Sequence, residues 1–306
     1  MDTSVNARIA MAIILFGVVW IIAYENLRTI CLVILRRKVN RFARILWLIA
    51  ALAVVFCAVD AFRIEPNRVQ VTHHTIQTRK LPSGARLRIV QLSDLHMCCI
   101  GKREREMIRL TAGCKPDIIV MTGDYLNIKD PAGFAGLTRI GRQLSKIAPT
   151  YAVEGNWDNY KHIQALEDGG VKSITGWDII PIRKGGKVAL GHLWWSMPVS
   201  AVYVPPNVEP LYKVLLCHKP DTFNQASKKG IDMMLSGHTH GGQVRLPIFG
   251  AILPDRNMIG RYQAGLYRRG RSTLYVNRGL GMESVAPQVR FCCRPEVSAI
   301  DLVSSN

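Results

Sequence analysis

Two long apolar runs open the chain, Ile9 to Tyr24 and Ile45 to Val59, and beyond them hydrophobic residues come only in short bursts. The first run falls a little short of the roughly 20 residues that a membrane helix needs. It extends through Glu25 and Asn26 toward Thr29 to Leu35. The pattern therefore predicts an anchor over residues 1–62 with one or two hydrophobic helices. A cleaved signal peptide is disfavoured, because Met1 to Arg8 carries a single basic residue and no small-x-small cleavage pattern follows the first run. The hydropathy also disfavours the alternative, a buried helical hairpin of a soluble protein. Residues 63–85 read as a linker with an edge strand over Val71 to Arg79. The later bursts are Leu87 to Leu92, Ile118 to Met121, Tyr151 to Val153, Val214 to Leu216 and Met233 to Leu235. Their length and continuity fit strands buried on both faces. They predict an α/β domain over 86–306.

Each burst ends in a polar cluster. In order these are Ser93-Asp94-Leu95-His96, Thr122-Gly123-Asp124, Gly155-Asn156, Cys217-His218 and Gly237-His238-Thr239-His240. Asp94, His96, Asp124, Asn156, His218, His238 and His240 are thus candidate metal ligands on loops that leave strand ends, where ligands from several strands can converge. Two divalent cations held this way clamp both sides of a displacement at phosphorus and generate a hydroxide nucleophile at neutral pH. One carboxylate has to bridge them, and Asp124, turned inward by Gly123, is the candidate. On extended backbone Asp94 and His96 face one side, as do His238 and His240. Any one of these motifs alone is more often a turn or a satisfied polar pair. Five in this order indicate a two-metal hydrolase.

These motifs make the chain similar to the calcineurin-like metallophosphoesterase superfamily, and most similar to its membrane-associated bacterial branch. The resemblance runs from about Arg86 to the end. It includes Lys115-Pro116-Asp117, the series Gly241 to Pro247, Asn277-Arg278-Gly279-Leu280-Gly281 and Arg294-Pro295-Glu296-Val297. It implies Asp94, His96, Asp124 and His240 on one metal, and Asp124, Asn156, His218 and His238 on the other. It further implies a four-layer sandwich, two mixed sheets flanked by helices, after the N-terminal hydrophobic helices. Asp124, Asn156 and His218 are the expected catalytic residues, and Trp157, Asp158 and Arg245 the expected substrate contacts. Manganese, iron and zinc all suit carboxylate, amide and imidazole ligands.

One departure bears on the substrate. The family usually has histidine after the Gly-Asn pair, a general acid or charge stabiliser at the leaving oxygen, whereas this chain has Trp157. An indole supplies no proton there. A leaving group that is already weakly basic, such as a nucleoside monophosphate released from a pyrophosphate, needs little protonation. Relatives that cleave UDP-diacylglucosamine carry arginine at this place, so the resemblance points to a UDP-2,3-diacylglucosamine pyrophosphatase of lipid A biosynthesis at the bacterial inner membrane. A broad or exported phosphodiesterase and a metal-binding membrane protein without catalysis are the alternatives. In the plainest alternative Trp157 only packs beside the site.

Charge adds a partner and a conflict. The chain carries a formal +18, and from Glu65 onward Lys and Arg still outnumber Asp and Glu by 32 to 19. With an anchor present, anionic lipid headgroups are the simplest partner, each nearby basic residue contributing roughly 1 kcal/mol. Lys102-Arg103-Glu104-Arg105 and Arg268-Arg269-Gly270-Arg271 are the candidate clusters. Nucleic acid is disfavoured, since aromatic residues are not interleaved with the basic ones. Arg28, Arg36, Arg37, Lys38, Arg41 and Arg44 place the connector between the runs in the cytoplasm. Two full spans would then export the domain, away from a cytoplasmic UDP-lipid. Eight cysteines without Cys-x-x-Cys spacing favour free thiols and a reducing compartment. Trp194, Trp195, Met197 and Pro198 would suit an acyl chain or the bilayer face, or equally a core.

Overall fold

Strands with two apolar faces need cover on both sides, and that requirement builds the catalytic domain. The computed structural model describes residues 3–246, 250–252, 261–283 and 288–305, with side chains from Ile13 onward. Pro247, the last residue of the Gly241 series, lies outside the described residues. In chain order the strands are β1 (Gln70–Thr78), β2 (Arg86–Leu92), β3 (Ile118–Met121), β4 (Thr150–Ala152), β5 (Lys172–Ser173), β6 (Trp177–Pro181) and β7 (Lys187–His192). There follow β8 (Tyr212–Leu216), β9 (Met233–Ser236), β10 (Arg245–Leu246), β11 (Gly250–Ala251), β12 (Gly265–Arg269), β13 (Ser272–Val276) and β14 (Glu296–Ser304). One sheet has the order β1-β14-β2-β3-β4-β5, the other β12-β13-β9-β8-β7-β6, and β10 and β11 form a separate ribbon.

Within β2, Leu87 and Ile89 join the core between the sheets while Val90 and Leu92 join the core outside the first sheet. The inter-sheet core continues through Val120, Val214, Leu216, Met233, Leu235 and Ile300. Outside the first sheet lie α3 (Lys102–Gly113), α4 (Pro131–Ser145) and α5 (Tyr160–Glu167), which follow the anchor helices α1 (Thr3–Ile34) and α2 (Arg41–Val59). In α4, Asp130 caps Gly133 N, Pro131 opens the first turn, and Leu137, Ile140 and Leu144 bury one stripe. The short α6 (Phe223–Lys228) covers the second sheet through Phe223 and Ala226. This is a four-layer α/β sandwich of two mixed sheets, preceded by two long apolar helices.

The anchor is a hairpin. Asn40 caps α2 by accepting from Phe42 N and Ala43 N, and Asn26 Nδ2 donates across to Trp47 O at 2.9 Å. Ile13–Ile34 and Arg41–Asn67 are both long and apolar enough to cross a membrane. α2 buries no residue, so the hairpin is not a core element of a soluble domain. Its last turn passes without a gap into a π turn, Asp60–Ile64, and a 3-10 turn, Glu65–Asn67. Arg290 N donates to Ala61 O, and Cys293 N to Glu65 Oε1 at 2.9 Å, so these turns are docked on the domain. The expected edge strand is β1, paired parallel with β14 from Gln70↔Glu296 to Thr78↔Ser304.

Candidate metal centre

β2, β3 and β4 run parallel, as do β8 and β9, and the loops beyond their carboxyl ends meet at one pole of the sandwich. All seven expected ligands lie there, buried or half-buried. Two groups have their ligand atoms within 4.8 Å of one another: Asp94, His96 and His240, and Asp124, His218 and His238. Asp124 Oδ2 links them, lying 3.6 Å from His96 Nε2 in the first group and 3.1 Å from His218 Nε2 in the second. Its other oxygen, Oδ1, accepts from Trp157 N at 2.8 Å, which leaves Oδ2 alone to face both groups.

The donor set fits two divalent cations. Among the described residues His96 Nε2, Asp124 Oδ2, Asn156 Oδ1, His218 Nε2, His238 Nδ1 and both ring nitrogens of His240 are buried without a hydrogen-bond partner. Buried polar atoms are ordinarily satisfied, so orphans concentrated on one spot call for a bound partner, and mixed oxygen and imidazole donors match a metal pair. The chain therefore holds a dinuclear divalent-metal site.

Supporting residues fix the imidazoles. His218 Nδ1 donates to Thr122 O at 2.7 Å, so Nε2 keeps its lone pair for a metal. His96 Nδ1 lies 2.9 Å from Asn127 Oδ1, and Asn127 Nδ2 donates to Met282 O at 2.8 Å. The second bond orients the amide, so that Oδ1 accepts from His96 and His96 Nε2 is free. Burial presses His238 down to about 3, assisted by His218, and holds His240 well below its ordinary value. Both are thus neutral, as a ligand must be. Burial also disfavours the charged form of His218, but Asp124 and Asp94 outweigh it and hold the imidazole up at about 9, so a metal binding at Nε2 would displace a proton. The same histidine helps to draw the Asp124 carboxyl well below its usual range despite burial.

The backbone reaches this arrangement differently from the extended alternation expected of the sequence. Asp94, His96, Asp124, His238 and His240 all adopt left-handed conformations, with φ of 50°, 40°, 60°, 69° and 50°. Asp94 and His96 join one group while His238 and His240 divide between the two, each placed by a left-handed turn on either side of Leu95 or Thr239 and not by strand alternation. Non-glycine residues enter that region at a cost and persist there when the surroundings over-determine them. The surroundings here are crowded: a Cβ on Gly155 would come within 2.1 Å of Asp124 Oδ1, and one on Gly237 within 2.2 Å of Asp94 Oδ2.

The expected substrate contacts divide. Trp157 packs at the rim, edge-on to His96 with ring centroids 5.8 Å apart. Lys129 Nζ donates to Trp157 O at 2.6 Å and lies 5.7 Å from the indole centroid. Asp158 instead faces inward. Its carboxylate is buried and accepts from Asp124 N, Tyr125 N and Gly155 N at 2.6, 3.0 and 2.8 Å, so it ties two ligand loops together and is not free to meet substrate. Arg245 is half-buried beside the centre and donates to Gly241 O at 2.7 Å.

Sequence reasoning missed Asn127 and Glu283, whose Oε1 lies 3.7 Å from His240 Nε2. Neither belongs to a ligand cluster, and the one available signal was a polar residue three positions beyond Asp124. Cys217 packs away from the metals, with Sγ on Lys219 O and Thr222 Oγ1, and burial pushes its thiol up to about 11. The cysteines are free. His162 caps α5 through Asn159, and His192 is buried 3.8 Å from Glu154, held down at about 4 by burial.

Comparison with known proteins agrees with this geometry. The sequence model of the calcineurin-like phosphoesterase family matches residues 87–242. The uncharacterized metallophosphoesterase YkuE of Bacillus subtilis is 30% identical over 79% of this chain and 88% of its own length. The phosphodiesterase YaeI of Escherichia coli is 31% identical over 78% and 90%. The UDP-2,3-diacylglucosamine pyrophosphatase LpxG of Chlamydia trachomatis is more distant, 24% identical over 80% and 92%.

Proposed function

Starting from the fact that the chain belongs to the calcineurin-like phosphoesterase family, we propose that this metal-dependent hydrolase cleaves a pyrophosphate or similarly activated phosphoryl bond of a membrane lipid. UDP-2,3-diacylglucosamine is the leading candidate substrate, and manganese, iron or zinc the metals. The observation that carries the reading is Trp157. Where the family places an imidazole, this chain has an indole whose backbone N–H serves Asp124 and whose ring packs edge-on to His96. Among the described residues the cation against this indole is Lys129, and its Nζ is held on the Trp157 carbonyl.

A pair of cations in this site supplies charge neutralisation at phosphorus and an activated water. The chain's own residues do the rest. Asp94, His96, Asp124, Asn156, His218, His238 and His240 hold the pair. Asp158 and Asn127 keep the bridge and His96 in place. Departure of a weakly basic phosphate needs no proton donor, whereas an alkoxide does. Support for a lipid substrate comes from the anchor hairpin and from the activity that LpxG's name carries.

A second reading has its own observation. The hairpin places the basic connector, Arg36 to Arg44, at the end of α1 and α2 remote from the domain. By the positive-inside rule this favours an exported phosphodiesterase acting on an extracytoplasmic lipid. A topology reporter after Asn306 separates the two: signal on the exported face removes the cytoplasmic UDP-lipid.

The test of the chemistry is a ratio of kcat/KM values between substrates. Wild type should strongly prefer pyrophosphates and aryl esters to alkyl phosphates, and Trp157→His should narrow that gap by about 10²-fold. Equal wild-type turnover of both classes, or an equal loss on both after substitution, reduces Trp157 to a packing residue.

A further inference from the structure

The anchor and the metal site share one pole of the sandwich. Gln70, where β1 begins, lies beside Glu296, and Ser298 of the same strand pairs with Gln91, one residue from the end of β2. Asp94 follows two residues later. The turns that end the apolar span are bonded into this pole with no free linker. Cys293 makes the shortest link, its N–H donating to Glu65 Oε1 and its Sγ lying 3.3 Å from His240 O. A metal ligand is thus one residue away from the membrane helix's own terminal turns.

The rim of the same pole has the composition of a membrane interface. Beyond Asn67, the large apolar or aromatic side chains exposed among the described residues are Ile128, Tyr160, Ile179, Trp194, Met197 and Tyr203. All but Ile179 lie on or beside loops that follow the carboxyl ends of β3, β4 and β7. Trp194 and Met197 are 46% and 51% exposed, an unfavourable display in water for neighbours on one loop. Beside them Lys219 Nζ sits 4.7 Å from the Trp195 centroid, and Lys129 Nζ lies 5.7 Å from that of Trp157. Aromatic rings with a lysine head above them are suited to the headgroup layer, where ring and stem meet acyl chain and the charge meets phosphate. Lys102 and Arg105, exposed at the start of α3, add positive charge on this side. The far pole is different: a cavity of about 640 Å³ there is lined by Arg79, Lys80, Arg268, Arg271 and polar strand ends.

We propose that the metal-bearing pole rests on the phospholipid bilayer, with Ile128 on one side of the site and Trp194 and Met197 on the other entering the headgroup region. The site then opens onto lipid phosphates of the membrane that holds the anchor. The orientation stands on the contacts above, and the substrate class rests on the hydrolase reading of the previous section.

The test uses the full-length protein in nanodiscs of phosphatidylethanolamine and phosphatidylglycerol. A photoreactive benzophenone side chain replaces Ile128, Met197 or Arg271 in turn, and lipid adducts are read by mass spectrometry. Adducts at Ile128 and Met197 with none at Arg271 are expected. Adducts at Arg271 alone, or at none of the three, overturn the orientation. A second measurement follows Trp194→Ser with Met197→Ser. kcat/KM for a lipid pyrophosphate in the bilayer should fall about tenfold, as two interfacial apolar contacts are lost, while kcat/KM for a soluble aryl phosphodiester stays unchanged. An equal fall on both substrates would mean that the loop only supports the fold and would count against the proposal. Adducts at Ile128 and Met197 without hydrolysis of any phosphate substrate would keep the orientation and dismiss the hydrolase reading instead.

Discussion

The two poles of the sandwich are built from the same strands yet satisfy their polar groups in opposite ways. At the pole where β2 and β14 begin and end, Arg88 forks onto Asp301 at 2.7 and 2.8 Å and donates to Cys114 O, while Asp117 accepts from Arg88 N. Asp232 likewise joins Lys80 and the backbone of Lys213. At the other pole, buried imidazole and carboxylate atoms point at one another without hydrogen bonds on left-handed backbone. One end is a closed hydrogen-bond network. The other holds strain and open ligand atoms together, the arrangement expected where function, not stability, has set the geometry.

Substitutions at the two ends should therefore fail differently. The largest effect is expected for Asp124→Ala, which removes the oxygen that both metal groups share. Turnover should fall by about 10³-fold or more, the scale on which losing a charge-stabilising group registers, and a chelator should reproduce the loss in wild type. Full activity in either condition would break the comparison at its functional end. Asn127→Ala comes next. It touches no metal and should weaken metal affinity about 10- to 100-fold by freeing His96, with added metal restoring turnover; a defect that metal cannot rescue would make Asn127 a folding residue.

Reading the sequence captured what depends on residue type and order. β3 begins and ends where its apolar burst does, and six of the expected ligands, Asp94, His96, Asp124, His218, His238 and His240, fall into two groups of metal-binding size. What depends on contacts between distant segments was not legible. Asp158 was expected among the substrate contacts, but its partners are the backbone N–H groups of Asp124, Tyr125 and Gly155. The left-handed turns at Asp94 and His238 carry only a weak residue signal, since Asp and His enter that region more often than other side chains but far less readily than glycine; Gly237 packs directly on Asp94 there. The rigid joint between anchor and domain was equally hidden, because Ala61 meets Arg290 across most of the chain.

The smallest effects belong to the closed pole. Arg88→Ala should leave kcat unchanged and lower stability by roughly 1 kcal/mol, the upper range for a partly exposed ion pair. Its pH dependence has a defined sign. Hydrogen bonding from Arg88 holds the Asp301 carboxyl below its ordinary value, so the pair's contribution is complete above the unfolded carboxyl's pKa, near 3.9 or so. It is lost as pH falls through the lower folded value. Denaturant titrations of wild type and Asp301→Asn should differ by a constant amount from about pH 8 to 5 and converge in stronger acid; a gap that widens in acid would reverse the assignment.

The central claim is that one pole is built to hold two metals, with Asp124 reaching both ligand groups, and metal stoichiometry tests it most directly. Elemental analysis of full-length, detergent-purified protein, combined with calorimetric titration of the stripped protein with manganese, should give two equivalents per chain, with hydrolysis appearing only as the second site fills. One equivalent that already supports full turnover, or turnover that survives complete removal of metal, would contradict it.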